Sequence, residues 1–152
     1  MSTFSERITI DAPANAVWNA LADIGAIHQW NPGVVHSHTT TSGEVGLGSG
    51  RRCELGGKNY LDEKVVEWTS GTALTLRIVA TNLPFKTADI RFTLEDRGRE
   101  TWVTVSPEYT LKFGVLGSLL DAVFVRSQYR RGMVNRLQGL KQHVESGARP
   151  SS

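Results

Sequence analysis

Between residues 50 and 111 the apolar positions alternate with polar ones, and on either side of that stretch the period changes. Leu74, Leu76 and Ile78, then Ile90, Phe92 and Leu94, are separated by Thr75, Arg77, Asp89, Arg91 and Thr93. A period of two with one apolar and one polar face predicts antiparallel strands, half buried and half wet. Gly56-Gly57, Ser70-Gly71 and Asp96-Arg97-Gly98 punctuate the pattern as tight turns. Strands are therefore expected at 50–55, 59–68, 73–80, 86–95 and 101–111, with a further strand through His36 and His38. Gly43, Gly46, Gly48 and Gly50 supply a flexible connection between them. Near the start, Phe4, Glu6, Ile8 and Ile10 alternate in the same way and predict a strand over 4–10.

Helical spacing flanks this block. After Asp11-Ala12-Pro13 the positions Val17, Trp18, Leu21 and Ala22 predict a short helix, and Asp23 to Trp30 a second turn that Pro32 stops. Past residue 113, Leu116, Leu120, Val123, Ser127, Arg130, Val134, Leu137, Lys141 and Val144 trace one face of a long helix. Gly132 and Gly139 weaken it by up to about 1 kcal/mol each relative to alanine. If residues 117–146 are continuous, that helix is about 45 Å long at 1.5 Å per residue. The expected fold is α+β: a curved seven-stranded antiparallel sheet around a long C-terminal helix, with two short helices between strands 1 and 2. A curved sheet around one helix leaves a concave space, and such spaces are the default binding sites.

Composition narrows the class. A chain of 152 residues with 39% hydrophobic and 21% charged positions suits one globular domain. That domain is expected to span 1–146, with 147–152 as a flexible tail. The net charge of +2 is too small to name a polyanionic partner. Arg126, Arg130, Arg131, Arg136 and Lys141 read as a solvated helix face without the aromatic platform of a nucleic-acid binder. The single cysteine, Cys53, excludes an intrachain disulfide. His36 and His38 share a strand face, but no third and fourth ligands stand at recognisable spacing, so neither metal nor cofactor is expected. His28 and His143 are expected to be exposed. No signal-peptide core and no apolar run of membrane-spanning length occurs, and the expected location is cytoplasmic, without membrane insertion.

The most informative chemistry is charge on the inward face. Around Gly56-Gly57, a three-residue loop pairs Leu55 with Asn59, Cys53 with Leu61 and Arg51 with Glu63. Alternation then puts Arg51, Cys53, Leu55, Leu61, Glu63 and Val65 inside, with Arg52, Glu54, Asp62 and Lys64 outside. An inward Arg51–Glu63 pair reads either as a structural ion pair or as a polar anchor for a ligand carbonyl or hydroxyl. Ser127 and Arg130 break the apolar helix face, either as a snorkelling arginine at the edge or as a second polar contact in the cavity. Trp30, Phe92, Tyr109, Phe113 and Phe124 stand where a cavity wall or lid would use them, although core packing also uses such residues. Leu76, Ile78, Ile90 and Val105 from the strands and Val123 from the helix complete the expected lining. Trp68 and Trp102 fall on outward faces, so a bulge or partial burial is expected there. No nucleophile elbow or Walker loop is present, and Gly46, Gly48 and Gly50 link strands rather than opening a helix as a dinucleotide loop does.

Ile8-Thr9-Ile10-Asp11-Ala12-Pro13 followed by Val17-Trp18, then Trp30-Asn31-Pro32-Gly33, Gly48-Ser49-Gly50-Arg51-Arg52-Cys53, Glu63, Leu83-Pro84 and the long terminal helix resemble the START/SRPBCC helix-grip superfamily. The branch with the greatest likeness is the bacterial polyketide cyclase/dehydrase-like proteins. The resemblance covers nearly the whole chain in order, and its motifs are short and structural, so it bears on fold more than on activity. It implies an apolar ligand, polyketide- or lipid-like, held by a monomer or weak homodimer. Two functions stay open: a non-catalytic binder, or a cyclase, aromatase or dehydratase. In the second, Glu63 or Tyr109 would move protons and Arg51 would polarise a carbonyl.

Overall fold

In a computed structural model, which describes residues 2–148, the alternating segments join into one antiparallel sheet. Its strands are β1 (Ser2–Thr3), β2 (Glu6–Ile10), β3 (His36–Thr39), β4 (Gly50–Gly56), β5 (Asn59–Thr69), β6 (Ala73–Thr81), β7 (Phe85–Asp96) and β8 (Thr101–Leu111). From β3 to β8 each strand pairs with its neighbour in sequence, and β1 and β2 both pair with β8 at the far edge. They keep one register there, with Ser2 opposite Tyr109 and Glu6 opposite Val105. The gap at Phe4-Ser5 faces Pro107, which has no N–H to give to the ladder. The expected strand 4–10 is thus one strand in two pieces, and the sheet is seven positions wide.

Two bulges settle details that alternation leaves open. In the β4–β5 hairpin Arg51 pairs with Glu63 and Cys53 with Leu61 as expected, but Gly56, not Leu55, lies opposite Asn59. Gly56 (φ 96°) and Gly57 (φ 58°) both take left-handed backbone, so the turn absorbs the extra residue at Leu55. A second shift between Val65 and Glu67 turns Trp68 inward, edge-on to Trp18 at 5.1 Å between ring centroids. Trp102 stays outside, between the guanidiniums of Arg7 at 4.3 Å and Arg97 at 3.7 Å. The wet face also carries the cross-strand pairs Arg77–Asp89 and Arg91–Glu67.

Across the concave face lie α1 (Ala14–Ala22), a 3-10 helix (Ile24–Gln29) and the C-terminal helix. The last runs unbroken from Gly114 to Ala148, as expected, but is not α-helical throughout. It comprises α2 (Gly114–Leu120), a π-helical segment (Asp121–Val125) and α3 (Arg126–Ala148). Each π turn holds more residues than an α turn, so the segment breaks the phase that Leu116 and Leu120 set. The buried stripe of α3 is Met133, Leu137, Leu140 and Val144, and Leu116, Leu120 and Val134 are exposed. Leu137 and Val144 are buried as expected, whereas Met133 and Leu140 take the places expected of Val134 and Lys141, so the face is rotated by less than the ~100° of one residue. Residues 149–152 of the expected tail lie outside the described residues, whereas Gly147 and Ala148 end α3. Among the described residues no helix is long and apolar enough to cross a membrane.

The 3-10 helix reaches α3 at Gly139, where an added Cβ would stand 2.0 Å from the carbonyl oxygen of Trp30. That approach needs a residue without a side chain, whereas a Cβ on Gly132 meets nothing within 4 Å. The same substitution should therefore have opposite signs at two sites about two turns apart on the helix. Gly139→Ala should destabilise the protein by about 1–3 kcal/mol through overpacking. Gly132→Ala should stabilise it by up to about 1 kcal/mol through helix propensity. Urea denaturation of both variants checks this, and a stabilised Gly139→Ala would contradict the close approach.

Candidate functional site

The hairpin register brings Arg51, Cys53 and Glu63 together in the interior. Arg51 Nε donates to Glu63 Oε1 at 2.9 Å, and the Cys53 thiol donates to the same oxygen at 3.6 Å. Arg51 Nη1 reaches across to the carbonyl of Ile24 at 3.2 Å, tying the sheet to the 3-10 helix. Both charged side chains are 2% exposed. From the other side comes Arg136 of α3, also buried, whose Nε and Nη1 have no hydrogen-bond partner; Glu63 Oε2 has none either. Burial would raise the Glu63 pKa, but the Arg51 and Arg136 guanidiniums and the two donors outweigh it and hold the carboxyl below its ordinary value. Burial pushes the Cys53 thiol up to about 12, so it stays neutral. Burial also lowers Arg136, against the pull of Glu63.

Beside this cluster, between the sheet and α3, lies a cavity of about 620 Å³. Leu55, Leu61, Ile78, Phe85 and Ile90 line it from the strands, Tyr129, Gly132, Met133 and Arg136 from the helix, and Val34 and Leu83 from loops. Asn31, Gln128 and Asn135 add polar groups at its edge. Phe85, Tyr109 and Tyr129 form an aromatic block against it: Tyr109 stacks on Tyr129 at 4.9 Å, and Phe85 meets both edge-on. Burial raises the Tyr129 hydroxyl well above the usual tyrosine range, which keeps it protonated. A second concavity, about 760 Å³, runs outside between the 3-10 helix and α3. Its lining of His28, Gln29, Gln138, Gln142 and His143 is that of a polar surface groove. Within it His28 and His143 are half-buried rather than fully exposed, His28 because its Nδ1 lies 2.6 Å from the Ser37 hydroxyl.

The sequence-expected residues separate into four groups. Ile78 and Ile90 line the cavity. Arg51, Cys53, Glu63, Leu76, Phe92 and Val105 are buried without lining it, and Trp30 borders the outer groove. Tyr109 is buried with its ring in the aromatic block, while its hydroxyl donates to Asp121, which Ser2 also contacts. Burial and that carboxylate raise the Tyr109 pKa to about 12. Phe113, Phe124, Ser127 and Arg130 are exposed, which corrects their expected place in the ligand lining, and for Arg130 it is the edge reading that holds. Phe113 sits in a left-handed turn (φ 78°) where the chain leaves β8, and the other three follow from the shifted helix phase. Arg130 instead pairs with Glu6 at 3.4 Å and covers the Phe4 ring. The Val123 side chain lies outside the described residues.

Arg136 and Tyr129 are the polar residues that sequence reading misses, since the charge pattern assigns Arg136 to a solvated face. The signal is present in the last three turns alone. Met133, Leu137, Leu140 and Val144 define a stripe with spacings of four, three and four, and Arg136 stands within it.

The sequence matches the model of the polyketide cyclase / dehydrase and lipid transport family over residues 1–145. No curated protein has a matching sequence. Solved structures with the same fold include TTHA0849 from Thermus thermophilus, with a TM-score of 0.80 and 18% identity over 97% of this chain and 100% of that one. A START superfamily protein from Mycobacterium smegmatis has a TM-score of 0.79 and 18% identity over 95% and 97% of the two chains. The Zhui aromatase/cyclase from Streptomyces sp. R1128 has a TM-score of 0.80 and 16% identity over 97% and 96%.

The buried charges make a prediction about stability. Glu63 is the shared counter-charge, so Glu63→Gln should cost about 3–5 kcal/mol by leaving the guanidiniums unneutralised. Arg136→Met removes a charge that burial disfavours and should leave stability unchanged or higher. Because folding lowers the Glu63 pKa, its contribution is fully present above the unfolded value near 4.5 and is lost as pH falls through the folded one. Urea midpoints across pH 7 to 3 test both points. A Glu63→Gln protein as stable as wild type at pH 7 would refute them.

Proposed function

Because the chain belongs to the polyketide cyclase / dehydrase and lipid transport family, we propose that it binds an apolar small molecule, polyketide- or lipid-like, in the cavity between the sheet and α3. The observation that carries this reading is the half-open pocket of about 620 Å³ between the sheet and α3, lined mainly by apolar side chains. Protein interiors are otherwise close-packed, and ligand pockets fall at about 300–1,000 Å³. Leu61, Ile78, Phe85, Ile90 and Met133 supply apolar surface, while Tyr129 and Arg136 are the few polar groups that would fix a ligand's orientation.

A cyclase, aromatase or dehydratase is the second reading, favoured by one feature: Tyr129, a protonated phenol, borders the cavity beside a guanidinium. Those two groups could donate to a carbonyl as it gains negative charge. The binder reading is preferred because Glu63 and Tyr109, the carboxylate and phenol first considered for proton transfer, are already hydrogen-bonded to Arg51 and Asp121.

Nile red, a neutral apolar dye that brightens on leaving water, reads the cavity directly. The wild-type protein should take it up at micromolar concentration. Gly132→Trp places an indole at the cavity wall, where a Cβ meets nothing within 4 Å, and should weaken uptake at least tenfold. Tryptophan is also the better helix former there, so the fold should not suffer. No uptake by the wild-type protein would sink the small-molecule reading.

A further inference from the structure

Resting on that reading, we infer that the ligand is an anion: an apolar molecule with one carboxylate head, which Arg136 receives. The argument begins with charge. The titratable groups that act on Arg136 are Glu63, Tyr129, Arg51 and Cys53. Cys53 and Tyr129 are held neutral by burial, and Glu63 is ionised. Two guanidiniums thus face one carboxylate, and the buried cluster carries an excess of one positive charge. However Glu63 divides its oxygens, it cannot neutralise both.

Geometry says which cation is left over. Arg51 is satisfied by Glu63 Oε1 and by the carbonyl of Ile24. Arg136 is 9% exposed, its Nε and Nη1 have no acceptor, and of the two guanidiniums it is the one that lines the cavity. A buried guanidinium without acceptors is strongly unfavourable unless something supplies them. The planar fork of an arginine matches the two oxygens of a carboxylate. The rest of the cavity wall is apolar, with Leu61, Ile78, Ile90 and Met133 suited to a hydrocarbon body. An amphipathic acid satisfies both halves of the cavity, and a neutral apolar molecule satisfies one.

Competition against bound Nile red at pH 7 tests this with a matched pair, decanoate and decan-1-ol, which differ at the head. Decanoate should displace the dye from wild-type protein at a concentration at least tenfold below that needed for decan-1-ol. In Arg136→Met the two should act within about threefold of each other, while Nile red uptake reports that the cavity persists. Arg136→Lys keeps the charge without the fork and should retain part of the preference. Equal potency of acid and alcohol on the wild-type protein overturns the inference, as does an undiminished preference in Arg136→Met. In both cases dye uptake leaves the cavity reading standing. Failure of the wild-type protein to take up dye removes that reading and this inference together. Should Arg136→Met not fold, the wild-type ratio and Arg136→Lys decide.

Discussion

The salt bridge between Arg51 and Glu63 is the contact on which the interior depends. Neither charge is accessible to water, so each is tolerable only because the other is present and further donors and acceptors complete the shell. Arg51 extends its remaining reach to the carbonyl of Ile24, at the start of the 3-10 helix. One ion pair therefore does two things: it pins the β4–β5 register and it docks the short helices that close the concave side. Those helices then meet α3 at Gly139, where the backbone of Trp30 leaves no room for a side chain.

The cavity is what remains once these contacts are made. Sheet curvature and the 3-10 helix hold α3 at a distance that Leu61, Ile78 and Ile90 do not fill, and the Phe85–Tyr109–Tyr129 block limits the space on one side. Tyr109 is anchored twice, by stacking on Tyr129 and by its hydroxyl on Asp121 at the start of the π segment. The π segment and the aromatic block are thereby coupled. The π segment that begins at Asp121 shifts the helix phase, and the buried side of α3 then includes Arg136 and leaves Arg130 outside.

Electrostatics and packing pull in different directions at Arg136. Packing alone would prefer methionine or leucine in a stripe otherwise made of Met133, Leu137, Leu140 and Val144. Glu63, already engaged by Arg51, softens the cost without removing it. Keeping an under-satisfied guanidinium beside a void departs from local consistency, and such departures concentrate at functional sites. The same cannot be said of Arg52, Arg77 or Arg91, each of which finds a carboxylate on the wet face of the sheet.

Much of the fold was legible in the residues themselves. Alternation from Leu74 to Leu94 requires a sheet with one wet face, and the polarity flanking Gly56-Gly57 points to Arg51 opposing Glu63, a register that holds because the bulge at Leu55 offsets the shorter turn. These features are local: period two and a short turn act between near neighbours in sequence. The bulge at Leu55, the interruption at Phe4 and the inward turn of Trp68 depend on single residues against a partner strand, and only pairing resolves them. The site was less legible for a related reason. A helix face is defined by phase, and phase is lost wherever a turn takes an extra residue, so an apolar stripe begun at Leu116 cannot be carried through Asp121–Val125. The sequence by itself determined the strands, the hairpin pair and the existence of a helix over a concave sheet. Only the folded chain places Arg136 and Tyr129 at the cavity and Arg130 outside, because the rotation of α3 is set by its packing on β2 and α1, far away in the chain.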